Sequence, residues 1–285
     1  MKQNGIKLGR FNTLQITKSV DFGLYLDGGE THGEILLPSR YVPQGVNIGD
    51  EIEVFIYLDQ EERLIATTET PLAQVGDFAC LEVAWVNNYG AFLHWGPMKD
   101  LFVPFREQKM RMQMGQSYIV HVHVDPESYR IIASAKVERY MSQDFPPYRP
   151  GDEVDILIWQ KTDLGLKAIV DNEFGGLLYD KQIFKQLHTG DRMKAYIKRV
   201  RPDGKIDLTL QKKGKAGVRD FADILQEYME DHGGVCTLCD KSPADEIYQT
   251  FGVSKKIFKK GIGDLYKRRL IEIGENCLIL IRALD

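Results

Sequence analysis

The chain is 285 residues long, 43% hydrophobic and 27% charged, with a formal net charge of −4. That balance excludes a protein that holds nucleic acid by global attraction, so any polyanion site must be local. No apolar run is long enough to cross a bilayer, Met1 to Arg10 lacks the apolar core of a secretory signal, and four scattered cysteines form no disulfide framework; a cytoplasmic protein without membrane contact is expected.

An internal repeat organises the first three quarters of the chain. Gly23 with Gly49, Gly90 with Gly115, and Gly165 with Gly190 recur at matching places, which predicts three copies of one structural unit. In the first copy Leu14–Thr17, Phe22–Leu26, Gly33–Pro38, Ile52–Leu58 and Leu64–Thr68 read as strands, with Ile52, Val54, Ile56 and Leu58 on one face and Glu53, Phe55 and Tyr57 on the other. The second copy repeats the order with Ala79–Val86, Tyr89–Leu93, Leu101–Pro104, Tyr118–Val124 and Arg130–Ala135. The third does so with Val154–Trp159, Leu164–Ala168, Leu177–Tyr179, Met193–Val200 and Lys205–Leu210. Five short strands in roughly 65 to 75 residues suit a small closed barrel, which removes exposed sheet edges.

The run Tyr89-Gly90-Ala91-Phe92-Leu93, followed by Leu101-Phe102-Val103-Pro104, Gly115 and Arg130-Ile131-Ile132-Ala133-Ser134, resembles the ribosomal S-one type RNA-binding domain. The expected architecture is therefore multidomain and mainly β: three tandem five-stranded OB-fold barrels of S-one type at residues 1–70, 71–145 and 146–213. The glycines Gly23, Gly90 and Gly165 are expected to serve backbone conformation and close packing.

With Ala91 and Leu93 inward, Phe92 and His94 point outward beside Tyr89, and Phe102 can join them as a platform for stacked bases. Lys99 and Arg130 are the cations expected to meet backbone phosphates. The alternative is that Phe102 is core and Tyr89 packs under a loop. Around Phe22 and Tyr25 the first copy is acidic, which predicts weak binding there. The third offers charge with little stacking: Lys167, then Lys194, Tyr196 and Lys198 on its fourth strand, near Arg199, Arg201 and Lys205. His121 and His123 share an outward face without a third ligand, so no metal and no cofactor is expected.

After a basic connector, Lys212 to Gly217, apolar residues at helical spacing from Val218 to Met229 predict a helix that ends at Gly233-Gly234. A second helix is predicted from Ser242-Pro243, as cap and first position, to Gly252. A third begins at Ser254, with Phe258, Ile262, Leu265 and Arg269 on one face. A hairpin from Leu270 to Arg282 completes an α+β winged-helix domain at 217–285. Lys255, Lys256, Lys259, Lys260 and Lys267 are its candidate nucleic-acid contacts. The acidic first helix and Glu275 in the wing oppose reading of duplex DNA and favour RNA phosphate contact or a packing role. Cys236-x-x-Cys239 with His232 lacks a fourth zinc ligand, since Cys277 lies on a distant strand, and ordinary packing is expected for both cysteines.

Three barrels followed by a winged helix, together with Phe251-Gly252-Val253-Ser254-Lys255-Lys256, Phe258-Lys259-Lys260 and Ile262-Gly263-Asp264-Leu265-Tyr266-Lys267, resemble the bacterial conserved virulence factor B family. The resemblance implies a virulence-associated, post-transcriptional regulator whose partner is single-stranded RNA, working with the ribosome or RNA-processing machinery. The rival readings are a DNA-binding transcription regulator and an RNA-processing enzyme. Against the enzyme, no paired carboxylates, metal-ligand cluster, phosphate loop or nucleophile motif stands out.

Overall fold

A computed structural model describes residues 5–179, 187–210 and 221–281. The connector Lys212 to Gly217, Val218 and the hairpin's closing Arg282 lie outside the described residues. Three closed barrels follow one another. The first comprises β1 (Phe11–Val20), β2 (Gly23–Asp27), β3 (Glu34–Pro38), β4 (Glu51–Leu58) and β5 (Leu64–Thr67), with a one-turn helix α1 (Gly29–His32) between β2 and β3. The second comprises β6 (Phe78–Val86), β7 (Gly90–Leu93), β8 (Leu101–Pro104), β9 (Ser117–Val124) and β10 (Ile131–Ser134). The third comprises β11 (Glu153–Thr162), β12 (Gly165–Val170), β13 (Phe174–Tyr179), β14 (Arg192–Val200) and β15 (Ile206–Thr209). In each, the first strand lies between the second and fourth. The fifth closes the barrel by pairing parallel to the third, as in Leu36 with Ile65 and Ile132 with Phe102.

Two features of the repeat have direct physical causes. The glycine that opens the second strand faces the backbone of the third: a Cβ would lie 2.2 Å from the Leu37 carbonyl oxygen at Gly23 and 2.3 Å from that of Val103 at Gly90. Any side chain there would force the two strands apart. The first strand of every barrel also carries a register shift, between Ile16 and Lys18, Val83 and Trp85, and Ile158 and Gln160. Such a bulge bends the strand and turns the following side chain to the other face.

The inward residues of β4 are Ile52, Val54 and Ile56, as alternation requires, but Phe55 and Tyr57 on the opposite face are buried as well. They form a continuous apolar cluster with the interior of the second barrel, where Phe55 meets Trp95 edge-to-face at 5.6 Å. Burial of this face follows from contact between domains, which strand periodicity does not encode. A smaller cluster of Phe78, Ile119, Val137, Leu157, Trp159 and Ile169 joins the second barrel to the third. Asn172 pins that junction, accepting the Phe78 N–H at 2.8 Å and donating to the Gly76 carbonyl at 3.0 Å. His121 and His123 project from the outer face of β9, yet Tyr140 covers them, with ring centroids 4.1 and 4.8 Å away.

The last unit comprises α2 (Phe221–Asp231), β16 (Val235–Cys236), α3 (Ala244–Phe251), α4 (Lys255–Lys267), β17 (Ile271–Ile273) and β18 (Leu278–Leu280), with sheet order β16-β18-β17. Three details differ from the sequence-based expectation. Strand β16 was not foreseen, because two residues are too few to carry a period. Pro243 stands at the cap position of α3, while the Ser242 hydroxyl accepts the Cys239 N–H at 2.9 Å instead of capping the helix. Arg269 lies beyond the end of α4 with φ of 58°, so it shares no helical face with Leu265. Cys236 and Cys239 are buried in the apolar core with Leu225, Met229 and Leu278.

Candidate nucleic-acid interface

The bulge in β6 decides what the second barrel shows to solvent. Leu81 and Val83 point inward, and unbroken alternation would send Trp85 in after them. The register shift turns Trp85 out instead, opposite Phe92 on β7. The indole stacks on the Phe92 ring at 3.7 Å with an interplanar angle of 3°, and Phe92 in turn meets Phe102 of β8 at 4.9 Å. The indole Nε1–H donates to Asp100 at 2.8 Å, which fixes its orientation. Tyr89, 75% exposed, stands in the β6–β7 turn, where the Asn87 side-chain oxygen accepts its N–H at 2.8 Å.

The structure therefore brings Tyr89, Phe92 and Phe102 together, but Phe92 lies under Trp85. The open aromatic faces belong to Trp85 and Tyr89. Trp85 was missed because period two places it inside the barrel, and the bulge that turns it out shows only once β6 is paired with β7. His94 is exposed, with Nδ1 3.9 Å from Asp100.

This aromatic face forms one side of a cleft of about 1030 Å³ whose other side is the β4–β5 turn of the first barrel. The cations expected to meet phosphate are already engaged across it. Arg130 forms an ion pair with Glu62, and the Lys99 Nζ donates to the Asp59 carbonyl at 2.7 Å. Burial holds the Lys99 ammonium below the usual lysine range. A third cation, Arg106, donates to both carboxylate oxygens of Asp125 at 3.2 Å. Asp125 is held below the ordinary carboxylate range chiefly by the Ser128 hydroxyl, 2.6 Å away, with Arg106 adding to the effect against some desolvation.

On the third barrel the predicted basic face is largely neutralised across strands. The β11–β14 register sets Asp155 against Lys194 and Glu153 against Tyr196. Lys194 pairs with Asp155 at 2.8 Å, and the Tyr196 hydroxyl donates to Glu153 at 3.1 Å. Lys167 lies over the Trp159 ring at 5.0 Å, and Lys198 is partly buried in the same β14 row. Arg199 and Arg201 both bind the buried carboxylate of Asp207, at 2.5 and 2.7 Å. Barrel closure brings these acids and bases together, which residue order alone does not reveal.

In the winged helix, Lys255 donates to the Ser242 carbonyl at 2.7 Å and so braces the turn before α3. Lys256, Lys259, Lys260 and Lys267 are exposed on α4. No described helix is long and apolar enough to cross a membrane, and among the described residues no group of three or more His, Cys, Asp or Glu could hold a metal ion.

Comparison with known proteins places two domain models on the chain: an S1 domain at residues 8–69 and a CvfB-like winged helix domain at residues 223–280. The S1 match falls on the acidic first barrel. The chain is 27% identical over 274 residues to the uncharacterized protein YitL of Bacillus subtilis, an alignment covering 93% of this chain and 91% of that protein. It is 19% identical over 235 residues to conserved virulence factor B of Staphylococcus aureus, covering 80% and 78%. A solved structure described as a multidomain protein with nucleic acid binding domains, from Streptococcus pneumoniae, is 22% identical and covers 96% of this chain and 98% of that one, with a TM-score of 0.44.

Proposed function

We propose that the chain, similar along most of its length to conserved virulence factor B and carrying a CvfB-like winged helix domain, is a cytoplasmic RNA-binding protein of that family that regulates gene expression after transcription. Single-stranded RNA is its ligand, and the cleft between the first two barrels is the principal site. The observation that carries the reading is the ladder of Trp85, Phe92 and Phe102, one from each of the first three strands of an OB barrel, with Tyr89 in the turn beside it; strands two and three are where oligonucleotides dock on this fold. A base stacked on an aromatic side chain gains about 1 to 3 kcal/mol, whatever its identity. The third barrel and α4 add phosphate contacts at the periphery, through Lys167, Lys194, Lys198 and the exposed α4 lysines. Such a regulator meets the ribosome or the RNA-processing machinery through the RNA it holds.

Titration with single-stranded RNA, single-stranded DNA and duplex DNA over a range of salt concentrations tests this reading. Single-stranded RNA is expected to bind tightest, with a shallow salt dependence, because the cations of the cleft are already paired and little counterion is released at them. Tight duplex binding that survives Trp85→Ala but not removal of Lys256, Lys259 and Lys260 would instead establish the winged helix as a DNA reader.

A further inference from the structure

The first barrel presents an acidic surface, yet it builds half of the cleft. Its contribution is the turn from Asp59 to Arg63. The Asp59 carboxylate accepts the N–H groups of Glu61 and Arg63 and the Arg63 side chain, each at 2.9 Å, so the turn is rigid. Lys99 of the second barrel holds it in place through the Asp59 carbonyl. At its tip stands Glu62, whose carboxylate meets Arg130.

Two observations single out Glu62. The first is conformational: its φ is 66°, in the left-handed region that glycine or asparagine adopts far more readily than glutamate. A strained backbone that carries a charged side chain into a cleft is a pointer to function. The second is electrostatic. Lys99, Arg106 and Arg130 line the cleft with Glu62, Asp100, Asp125 and Glu127, so three cations face four carboxylates. Asp125 is tied to Arg106 and Ser128, Glu127 to the same Arg106, and Asp100 to the Trp85 indole, which leaves Glu62 as the carboxylate on Arg130. Glu62 is partly exposed and can swing to solvent, and its partner Arg130 is also more than half exposed.

Building on the RNA-binding reading, we infer that Glu62 occupies the phosphate position of the cleft in the free protein and sets the threshold for ligand entry. A strand docking its bases on Trp85 and Tyr89 brings a phosphate to Arg130, and that phosphate displaces the Glu62 carboxylate. The exchange is cheap because an exposed ion pair is weak. It is also selective: only a ligand presenting stacking bases and an anion together gains enough to replace the resident carboxylate. The first barrel thus acts on specificity without contacting bases itself.

A double-mutant cycle on the full chain tests the inference, with a labelled mixed-sequence oligoribonucleotide of ~10 nucleotides, within the site size of an OB fold. Glu62→Gln keeps the shape of the side chain and removes the charge. Binding is expected to tighten about two- to fivefold, the range of an exposed ion pair. The salt slope should steepen by up to about 0.7, the increment of one phosphate on a single strand. Arg130→Gln should weaken binding, and Glu62→Gln should add nothing in that background. Unchanged affinity in Glu62→Gln, or the same gain with and without Arg130, overturns the inference and leaves the cleft as a binding site. Trp85→Ala in the same series separates the two ideas: if it leaves affinity untouched, the site itself falls, and the role of Glu62 with it. Thermal melting of each variant confirms that all are folded.

Discussion

Replacing Trp85 by alanine is the most informative single change. The indole is 42% exposed and stacks in parallel on Phe92, with its N–H on a carboxylate. Losing an aromatic pair costs about 0.5 to 1.5 kcal/mol, and losing a solvent-accessible hydrogen bond about 1 kcal/mol, so the second barrel should weaken by roughly 2 kcal/mol and still fold. RNA affinity should fall as well, because the platform for a base is gone: about 1 to 3 kcal/mol, or about 5- to 150-fold in Kd. Fluorescence anisotropy of labelled RNA measures the affinity, and intrinsic fluorescence identifies the site. Of the chain's 3 tryptophans, Trp95 and Trp159 are 2% and 9% exposed, so quenching by bound RNA should come from Trp85 alone. Trp85→Phe, which keeps a ring but no N–H, should recover most of the loss. A folded Trp85→Ala protein with wild-type affinity, or one whose fluorescence is still quenched, would refute the stacking model.

Two further predictions concern pH. Burial, with the nearby His123 adding to it, depresses the pKa of His121 to about 4. Since the folded value lies below the unfolded one of about 6.5, its contribution is complete above that pH and is lost as pH falls through 4, a total on the order of 3 kcal/mol. The junction between the second and third barrels should therefore melt at lower temperature at about pH 5 than at about pH 7, and His121→Phe should flatten the difference; an unaltered pH profile in that variant would count against the assignment. At Asp207 burial pushes the carboxyl up, but hydrogen bonds from Arg201 and Arg199 outweigh it and hold the pKa below the ordinary range. Its stabilisation is present above the unfolded value of about 3.9 and disappears as pH falls through the lower folded value. Asp207→Asn should cost the third barrel about 3 kcal/mol at neutral pH, and its denaturation curve should converge with wild type in strong acid; a gap that persists there would point to lost packing instead of lost charge.

Within each barrel, order and alternation carried most of the fold. Every strand named from the sequence exists, because the inward rows such as Ile52, Val54 and Ile56 need only period two. The features that escaped are those set by neighbours distant in the chain. Phe55 and Tyr57 are buried by another barrel, and Asp155 neutralises Lys194 only once β11 pairs with β14. The candidate site was partly legible for the same reason. Phe92 and Phe102 lie on adjacent strands with Tyr89 in the turn before them, all within one short stretch, whereas Trp85 required a bulge and Glu62 required a second domain. The charge row of the third barrel was legible as lysines and arginines but not as ion pairs, since the partners sit about 40 residues away along the chain.

The shared apolar wall around Phe55, Tyr57 and Trp95 bears on how such a repeat array can change over generations. Three similar units in a row invite the picture of interchangeable beads, free to be lost or duplicated one at a time. Deleting the first would strip the cover from Trp95 and from the cleft beside it, so the first two are bound to each other as a linked pair. The acidic barrel can abandon every nucleic-acid contact of its own and still be retained, because its neighbour needs its surface.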